Sequence, residues 1–425
     1  MELSVKAAPK TYDVIVAGGG PAGVLAAVAA ARQGADTLLI EGSTALGGMS
    51  TSGLVPSWSP FDDQEKCIYW SLTTELLDRY KAMVELPSNG KRWTAILAEP
   101  LKRLYDEMTA EAGVTVLLQT TLCHAVTENG TIRSVVVANK AGLTEYRAKT
   151  FVDCTGDGDL AAMSGVPMEY GDETGYVQEA SLCFVISGVQ KDKITRAINS
   201  NPEGNIWIDA IKSGKYPHLV RHFIPKMCPG GIILANAGGL PNVDATDPMA
   251  VSKAYALGRL VAAEYLAALK EYQPEAFADA MILQTAPLLG VRESRRIVGD
   301  YVLTAEDYFA RRSFPDEICR NSYWLDCHLP EGRENPCEPG GKQPRYGPGE
   351  SHGIPWRSLI PKNVENLLVA GRCVSMDNIM LATIRVMPNC HAMGEAAGIG
   401  AAVAAKRGVP VRQVSVDEVR AGWRR

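Results

Sequence analysis

No two of the ten cysteines are spaced as CxxC; they stand at Cys67, Cys123, Cys154, Cys183, Cys228, Cys319, Cys327, Cys337, Cys373 and Cys390. That leaves no signal for a zinc ribbon or a dithiol redox centre, and the scattered thiols read as reduced and buried in a cytoplasmic protein. No run of Lys or Arg is present and the net charge is −5, which argues against a nucleic-acid or anionic-membrane partner. The apolar stretch Val24 to Ala31 is too short to span a bilayer, and Met1 to Lys10 has no signal-peptide core. No internal repeat is found. His218 and His222 have i, i+4 spacing but no third ligand, so no metal is expected.

What is present is concentrated in Tyr12 to Glu41, YDVIVAGGGPAGVLAAVAAARQGADTLLIE. An apolar run enters the turn Gly18-Gly19-Gly20-Pro21-Ala22-Gly23. An Ala-rich helix follows, Gly34 stops it, and a second apolar run ends in Glu41. This is a βαβ unit with a dinucleotide fingerprint. Gly18 permits the tight turn, Gly20 lets a pyrophosphate approach the backbone, and Gly23 lets helix and strand pack closely. The free N–H groups of the helix start face the phosphate, with Pro21 and Ala22 in the first turn. Glu41, 18 residues beyond Gly23, would accept from the ribose hydroxyls. The chain contains no second fingerprint of this kind.

Elsewhere, helices are expected over Cys67 to Val84, Ala98 to Ala112 and Asp247 to Tyr272, the last with Asp247 as N-cap and Pro248 at the first position. Strands are expected at Val114–Leu118, Leu122–Thr127, Ile132–Ala138 and Tyr146–Val152, the middle two forming a hairpin. Lys193 to Lys212 reads as a broken helix, Ala278 to Leu289 as helix or strand, and Ile354 to Ile360 as strand. In FVDCTGDGDLAAMSGVP, residues 151–167, a strand runs into a glycine turn whose amides suit an anion; a tight turn with a capping Asp is the alternative. The arginines around Glu293 suggest a buried ion network or a solvated charged face. From Met387, Gly394, Ala397, Gly398 and Ala401 make one helix face small, suited to a planar ring or to another backbone.

Glu41 followed by Gly47-Gly48-Met49 resembles the E-x5-GG pattern of the glutathione-reductase-like FAD superfamily, which favours FAD over NAD. Together with CTGDGDLA at 154–161, RESRRIVGDYVLT at 292–304, Asp326-x-His328, and the segments 354–375 and 384–402, the chain resembles the FAD-dependent oxidoreductase family of that superfamily. The resemblance implies an α/β fold: a Rossmann-like FAD-binding domain, a parallel sheet plus antiparallel meander, with an inserted α+β substrate domain. The FAD domain would comprise residues 1–165 and 355–425, and the substrate domain 166–354. It implies cofactor contacts from Gly18, Gly20, Pro21, Ala22, Gly23, Glu41, Gly47, Gly48, Met49 and Asp157. Where the wider superfamily carries a late Gly-Asp, this chain has Gly371-Arg372, which moves the ribityl contact to Arg372 or Ser375. Gly398 lies on the small helix face expected to approach the flavin, and Arg385 or His391 would add positive charge there.

The expected function is hydride transfer between flavin N5 and a small organic substrate, with His328 or His352 as base and Arg357 and Arg385 as carboxylate or charge-stabilising groups. An NADPH- and oxygen-dependent flavin monooxygenase is the alternative, and a non-catalytic flavoprotein that binds a partner is a third. Substrate, electron acceptor and oligomeric state are not encoded in any motif.

Overall fold

The computed structural model describes residues 4–84, 92–200, 203–330, 333–337 and 343–423. Strand β1 (Val5–Ala17) leads through the glycine turn into helix α1 (Pro21–Arg32), and β2 (Thr37–Ile40) returns parallel to β1, pairing Val14 with Thr37 through Ala17 with Ile40. All four residues of β2 are buried, as expected for a parallel strand covered on both faces. Pro21 opens α1, where its fixed φ is already helical and its missing N–H costs nothing.

Helices α2 (Leu72–Met83) and α3 (Ala98–Ala112) follow; α3 buries Leu101, Leu104, Tyr105 and Met108 on one face and ends at Gly113 in the left-handed region. Strand β3 (Thr115–Leu117) adds to β2 in parallel. Strands β4 (Thr121–Glu128), β5 (Thr131–Asn139) and β6 (Gly142–Asp153) form an antiparallel meander, and the far end of β6 runs parallel to β1.

A second sheet lies in the middle of the chain. Its strands β7 (Phe184–Ser187), β8 (Phe223–Cys228), β9 (Ile232–Ala237) and β10 (Met281–Thr285) have the order β8-β9-β7-β10 and are antiparallel throughout. Helix α4 (Pro248–Tyr272) covers it, started by Asp247, whose side chain accepts from the Met249 amide. The first sheet is completed by β11 (Leu367–Val369), parallel to β6, and helix α5 (Met387–Arg407) packs on α1. The sheet therefore has seven strands in the order β3-β2-β1-β6-β5-β4, with β11 on β6. A parallel sheet with an antiparallel meander and a second α+β sheet between its parts is the α/β architecture expected.

Two hydrophobic cores result. One draws on Tyr12 to Val166 and Ile297 to Val419, the other on Ala180 to Leu289. Buried residues after 297, such as Leu303, Tyr308 and Ile318, pack on the first core. Two local readings are corrected and one is settled. Lys193 to Lys212 holds only the helix Ile206–Lys212, since the Asn205 side chain accepts from the Trp207 amide and starts a fresh helix there. Ala278 to Leu289 contains strand β10, which pairs with β7. The strand expected at 354–360 ends at Pro355, and a 3-10 turn, Trp356–Leu359, takes its place.

Candidate functional site

The carboxyl ends of β1, β2, β6 and β11 meet at one edge of the sheet, the place where open α/β sheets hold ligands. At Gly18, φ +90°, an added Cβ would collide with the Cys154 carbonyl, so the turn after β1 and the turn after β6 lie side by side. Gly20 precedes α1, no side chain caps that helix, and no atom lies within 4 Å of where a Cβ on Gly20 would sit. Gly23 has no such space: a Cβ there would meet the Gly18 carbonyl oxygen. Pro21 and Ala22 form the first turn between them. This is an open cradle over an uncapped helix start, the shape that a pyrophosphate fills.

Glu41 stands at the tip of β2. Its carboxylate accepts from the Gly19 amide and from the Ser43 amide, each at 2.7 Å. Each oxygen keeps a second lone pair, so the side chain is oriented and still able to accept from a diol. Beyond it, Gly47 at φ +100° and Gly48 at φ +47° turn the chain back, and Gly48 approaches the α-carbon of Gly20. Met49 follows in the short 3-10 turn Gly48–Ser50 and is only partly buried. A buried chain of hydroxyl contacts supports this turn: the Ser50 hydroxyl donates to the Gly47 carbonyl at 2.7 Å and lies 3.4 Å from the Tyr105 hydroxyl, which is 3.3 Å from His391 Nε2. Sequence reasoning missed this chain; the only local signal was Tyr105 on the buried face of α3.

In the turn after β6, Asp153 accepts from the Thr155 amide and hydroxyl and from the Ala161 amide, so this carboxylate is the internal cap of the turn. Asp157 is held by Arg372 at 2.7 Å, and Arg372 covers Gly156. The two expected contacts, Asp157 and Arg372, are thus one ion pair at the mouth of the cradle.

Five of the expected residues are engaged elsewhere in the fold. Gly398 lies inside α5 against the carbonyl oxygen of Ala26 in α1, as Gly394 does against Ala22. The small face of α5 is therefore a helix-packing face. The Ser375 hydroxyl is fully buried and accepts from the Gly299 amide at 2.9 Å, so it holds the chain rather than lining the cleft. His352 is fully buried, with Nδ1 at 2.7 Å from the Tyr346 hydroxyl and Nε2 near the Asn321 amide; burial, then Arg320, lowers it to about 3. Arg357 lies at the surface paired with Asp316. His391, also buried, is lowered to about 3 by burial, so it brings no positive charge.

His328 and Arg385 do come together. Arg385, two residues before α5, donates from Nη2 to the Asp326 carbonyl at 2.8 Å and lies 3.4 Å from its carboxylate. His328 Nε2 is 3.3 Å from the same carboxylate, and the Tyr323 hydroxyl donates to it at 3.1 Å. Burial opposes ionisation of Asp326, but His328 and the guanidinium groups of Arg385 and Arg292 outweigh it and hold the carboxyl well below its usual range. Burial, then the charge of Arg292, lowers His328 to about 4 against the pull of Asp326. Nε2–H therefore donates to a carboxylate, and Nδ1 carries the free lone pair. The ring of His222, which the sequence offered only as half of a metal pair, packs edge-on against His328 at 5.0 Å; His218 instead meets Glu264. Gln178 anchors the segment, accepting from the His328 amide, and also borders a cavity of about 310 Å³ lined by Cys327, Leu329 and Arg333. Cys327 and Cys337 form a disulfide, which corrects the expectation of reduced thiols at these two positions.

The arginines around Glu293 form the expected network. Arg296 pairs with Glu293 at 2.7 Å with both side chains 3% exposed, and Arg295 pairs with Asp159.

An uncapped βαβ helix start with an acid on the second strand defines a dinucleotide-binding protein. The chain matches the family described as FAD dependent oxidoreductase over residues 13–422 and belongs to it. Its cofactor is accordingly FAD, and the protein is an enzyme of the oxidoreductase class. Among curated proteins, it is 32% identical over 161 residues to the digeranylgeranylglycerophospholipid reductase of Methanocella arvoryzae, covering 34% of this chain and 39% of the relative. It is 24% identical over 221 residues to the enzyme of the same name from Methanosphaerula palustris, covering 46% and 52%. The matches thus span about two fifths and about half of these relatives. A solved geranylgeranyl bacteriochlorophyll reductase-like protein from Thermoplasma acidophilum is similar at 13% identity and a TM-score of 0.44, covering 99% of this chain and 83% of that one. No helix among the described residues is long and apolar enough to cross a membrane.

Proposed function

We propose that the chain holds FAD along the β1–α1 edge and moves a hydride between the flavin and a small organic substrate bound beside His328. Gly20 and the first turn of α1, with Pro21, Ala22 and Gly23, would hold the pyrophosphate, and Glu41 the adenosine ribose. Gly18, Gly47, Gly48 and Met49 shape the cleft, with the Asp157–Arg372 pair at its mouth. Flavin, when bound, supplies the hydride acceptor or donor. The observation that carries the substrate reading is the Asp326–His328–Arg385 cluster at the start of α5, where a neutral imidazole is oriented by an ionised carboxylate. Asp326 fixes the tautomer of His328, and Nδ1 takes a proton from the substrate or returns it. Arg385 fixes Asp326. The two curated relatives are named as reductases, which supports hydride transfer as the class of chemistry.

The test is anaerobic titration of the purified yellow protein with alcohols, sugars, amines, enoates and NAD(P)H, following bleaching of the flavin. One class should bleach it, and His328→Gln should slow bleaching by about 10²-fold or more while FAD stays bound. Equal rates in wild type and His328→Gln would remove His328 from the chemistry.

A further inference from the structure

The arginine-rich stretch at 292–296 leaves one charge unaccounted for. Arg295 has Asp159 and Arg296 has Glu293. Arg292 is 8% exposed, yet among the described residues no carboxylate lies within 4 Å of its guanidinium; its one hydrogen bond goes from Nη1 to the Glu179 carbonyl at 2.6 Å. Arg385, the neighbouring cation, gives Nη2 to Asp326 and leaves Nε buried without a partner. The groups around Arg292 and Arg385 are Asp326, His328, His222, Tyr323 and Glu179. The two histidines are neutral, because burial lowers both, and burial pushes the Glu179 carboxyl up. Asp326 and Glu179 are the carboxylates nearest the two guanidinium groups, and Arg292 forms no ion pair within 4 Å with either. Burial, then Arg385, lowers Arg292 to about 10, so it remains charged at neutral pH.

A buried guanidinium with one hydrogen bond and no close ion pair is costly, and a ligand that pairs with it offsets that cost. The position of the pair says which ligand. Arg385 lies just before α5, and the segment leading to Arg292 is tied to the glycine turn by the Leu288 amide, which donates to the Ser52 carbonyl at 3.2 Å. Both cations thus flank the proposed substrate position beside His328. Planar forks with unused N–H groups match a planar carboxylate.

We infer that the substrate carries a carboxylate, held by Arg292 and Arg385 next to His328. This rests on the reading of the His328 cluster as the substrate site.

The experiment is calorimetric titration of the FAD-loaded protein with benzoate, lactate and succinate, and with benzamide, lactamide and succinamide as uncharged counterparts. The flavin spectrum is recorded at each addition. At least one acid should bind about ten-fold or more tightly than its amide, and Arg292→Met should erase that difference with the FAD content unchanged. Arg292→Lys, which keeps the charge without the fork, should fall between. Because a buried charge with no close ion pair is removed, the ligand-free Arg292→Met protein should melt no lower than wild type; a merely structural arginine would lower it. Arg385→Met should weaken the acid independently, whereas the surface variant Arg357→Met should not. Acid and amide binding alike, no acid binding at all, inorganic phosphate binding more tightly than every acid, or loss of FAD from Arg292→Met would each overturn the inference. An Arg292-dependent acid that leaves the flavin spectrum unmoved would keep the anion site and refute its place beside the flavin.

Discussion

Gly20→Ala separates binding from folding. Gly20 sits at φ −69° and ψ −173°, an extended conformation open to every residue, and the space its Cβ would enter is empty. The folded protein without cofactor therefore has nothing to lose. The unfolded chain loses freedom, so the substitution should raise the stability of the cofactor-free protein by about 0.4–1 kcal/mol. FAD meets the opposite effect. The new methyl occupies the place where a pyrophosphate must approach the first-turn amides, and each charge-assisted hydrogen bond lost there is worth about 1.5–3 kcal/mol, or about 10- to 150-fold in Kd.

The assay is paired: the Tm of the flavin-free protein, and the Kd for FAD from quenching of its fluorescence. The expected result is a Tm equal to or above wild type with FAD binding weakened at least about ten-fold. An unchanged Kd would refute the placement of the pyrophosphate over Gly20. A lower Tm would show that Gly20 packs against something after all. Gly23→Ala is the contrasting control, since its Cβ would collide with the Gly18 carbonyl and should lower the Tm outright.

Gly398→Ala should destabilise the protein by up to about 2 kcal/mol in urea unfolding, because a collision with the Ala26 carbonyl costing about 1–3 kcal/mol outweighs about 1 kcal/mol of helix propensity; a stabilised variant would refute the tight α1–α5 contact. Glu395, in α5, is raised to about 7 by burial, although the Leu72 and Thr73 amides donate to it. Its contribution to stability is full below about pH 4.5, where the unfolded group is also protonated, and is lost as pH rises to 7. Glu395→Gln should then gain about 1–3 kcal/mol over wild type at pH 8 and nothing at pH 4; a gain independent of pH would rule this out. The denatured, unreduced protein should expose eight free thiols, and ten after reduction, as counted with a thiol reagent; ten before reduction would deny the Cys327–Cys337 bond.

What could be read from the sequence was what one segment makes alone. The Gly18–Gly23 turn, α1 and Glu41 follow one another in the chain, and each glycine carries its own steric reason, so spacing sufficed. The stripe at Gly394 and Gly398 shows where that reasoning ends. Small residues at helical spacing announce a close approach without saying to what, and the partner, α1, is far away in sequence. The histidines divide for the same reason. His328 and His352 are alike in type and in their polar surroundings, and only the fold seals one behind Tyr346 and Asn321 while leaving the other partly exposed beside Asp326 and His222.

The arginines take this furthest. In Arg292-Glu293-Ser294-Arg295-Arg296 the composition shows three cations around one acid, and no spacing rule says which cation the acid serves. The fold gives Glu293 to Arg296 and brings Asp159 to Arg295 from the turn after β6. Arg292 instead donates to the Glu179 carbonyl and lies near Arg385 and Asp326, and among the described residues no carboxylate comes within 4 Å of its guanidinium. Close ion pairing therefore reaches Arg295 and Arg296 but, among the described residues, not Arg292. On the inference drawn above, a carboxylate substrate would supply the close partner that Arg292 lacks, and the Arg292→Met titration decides it.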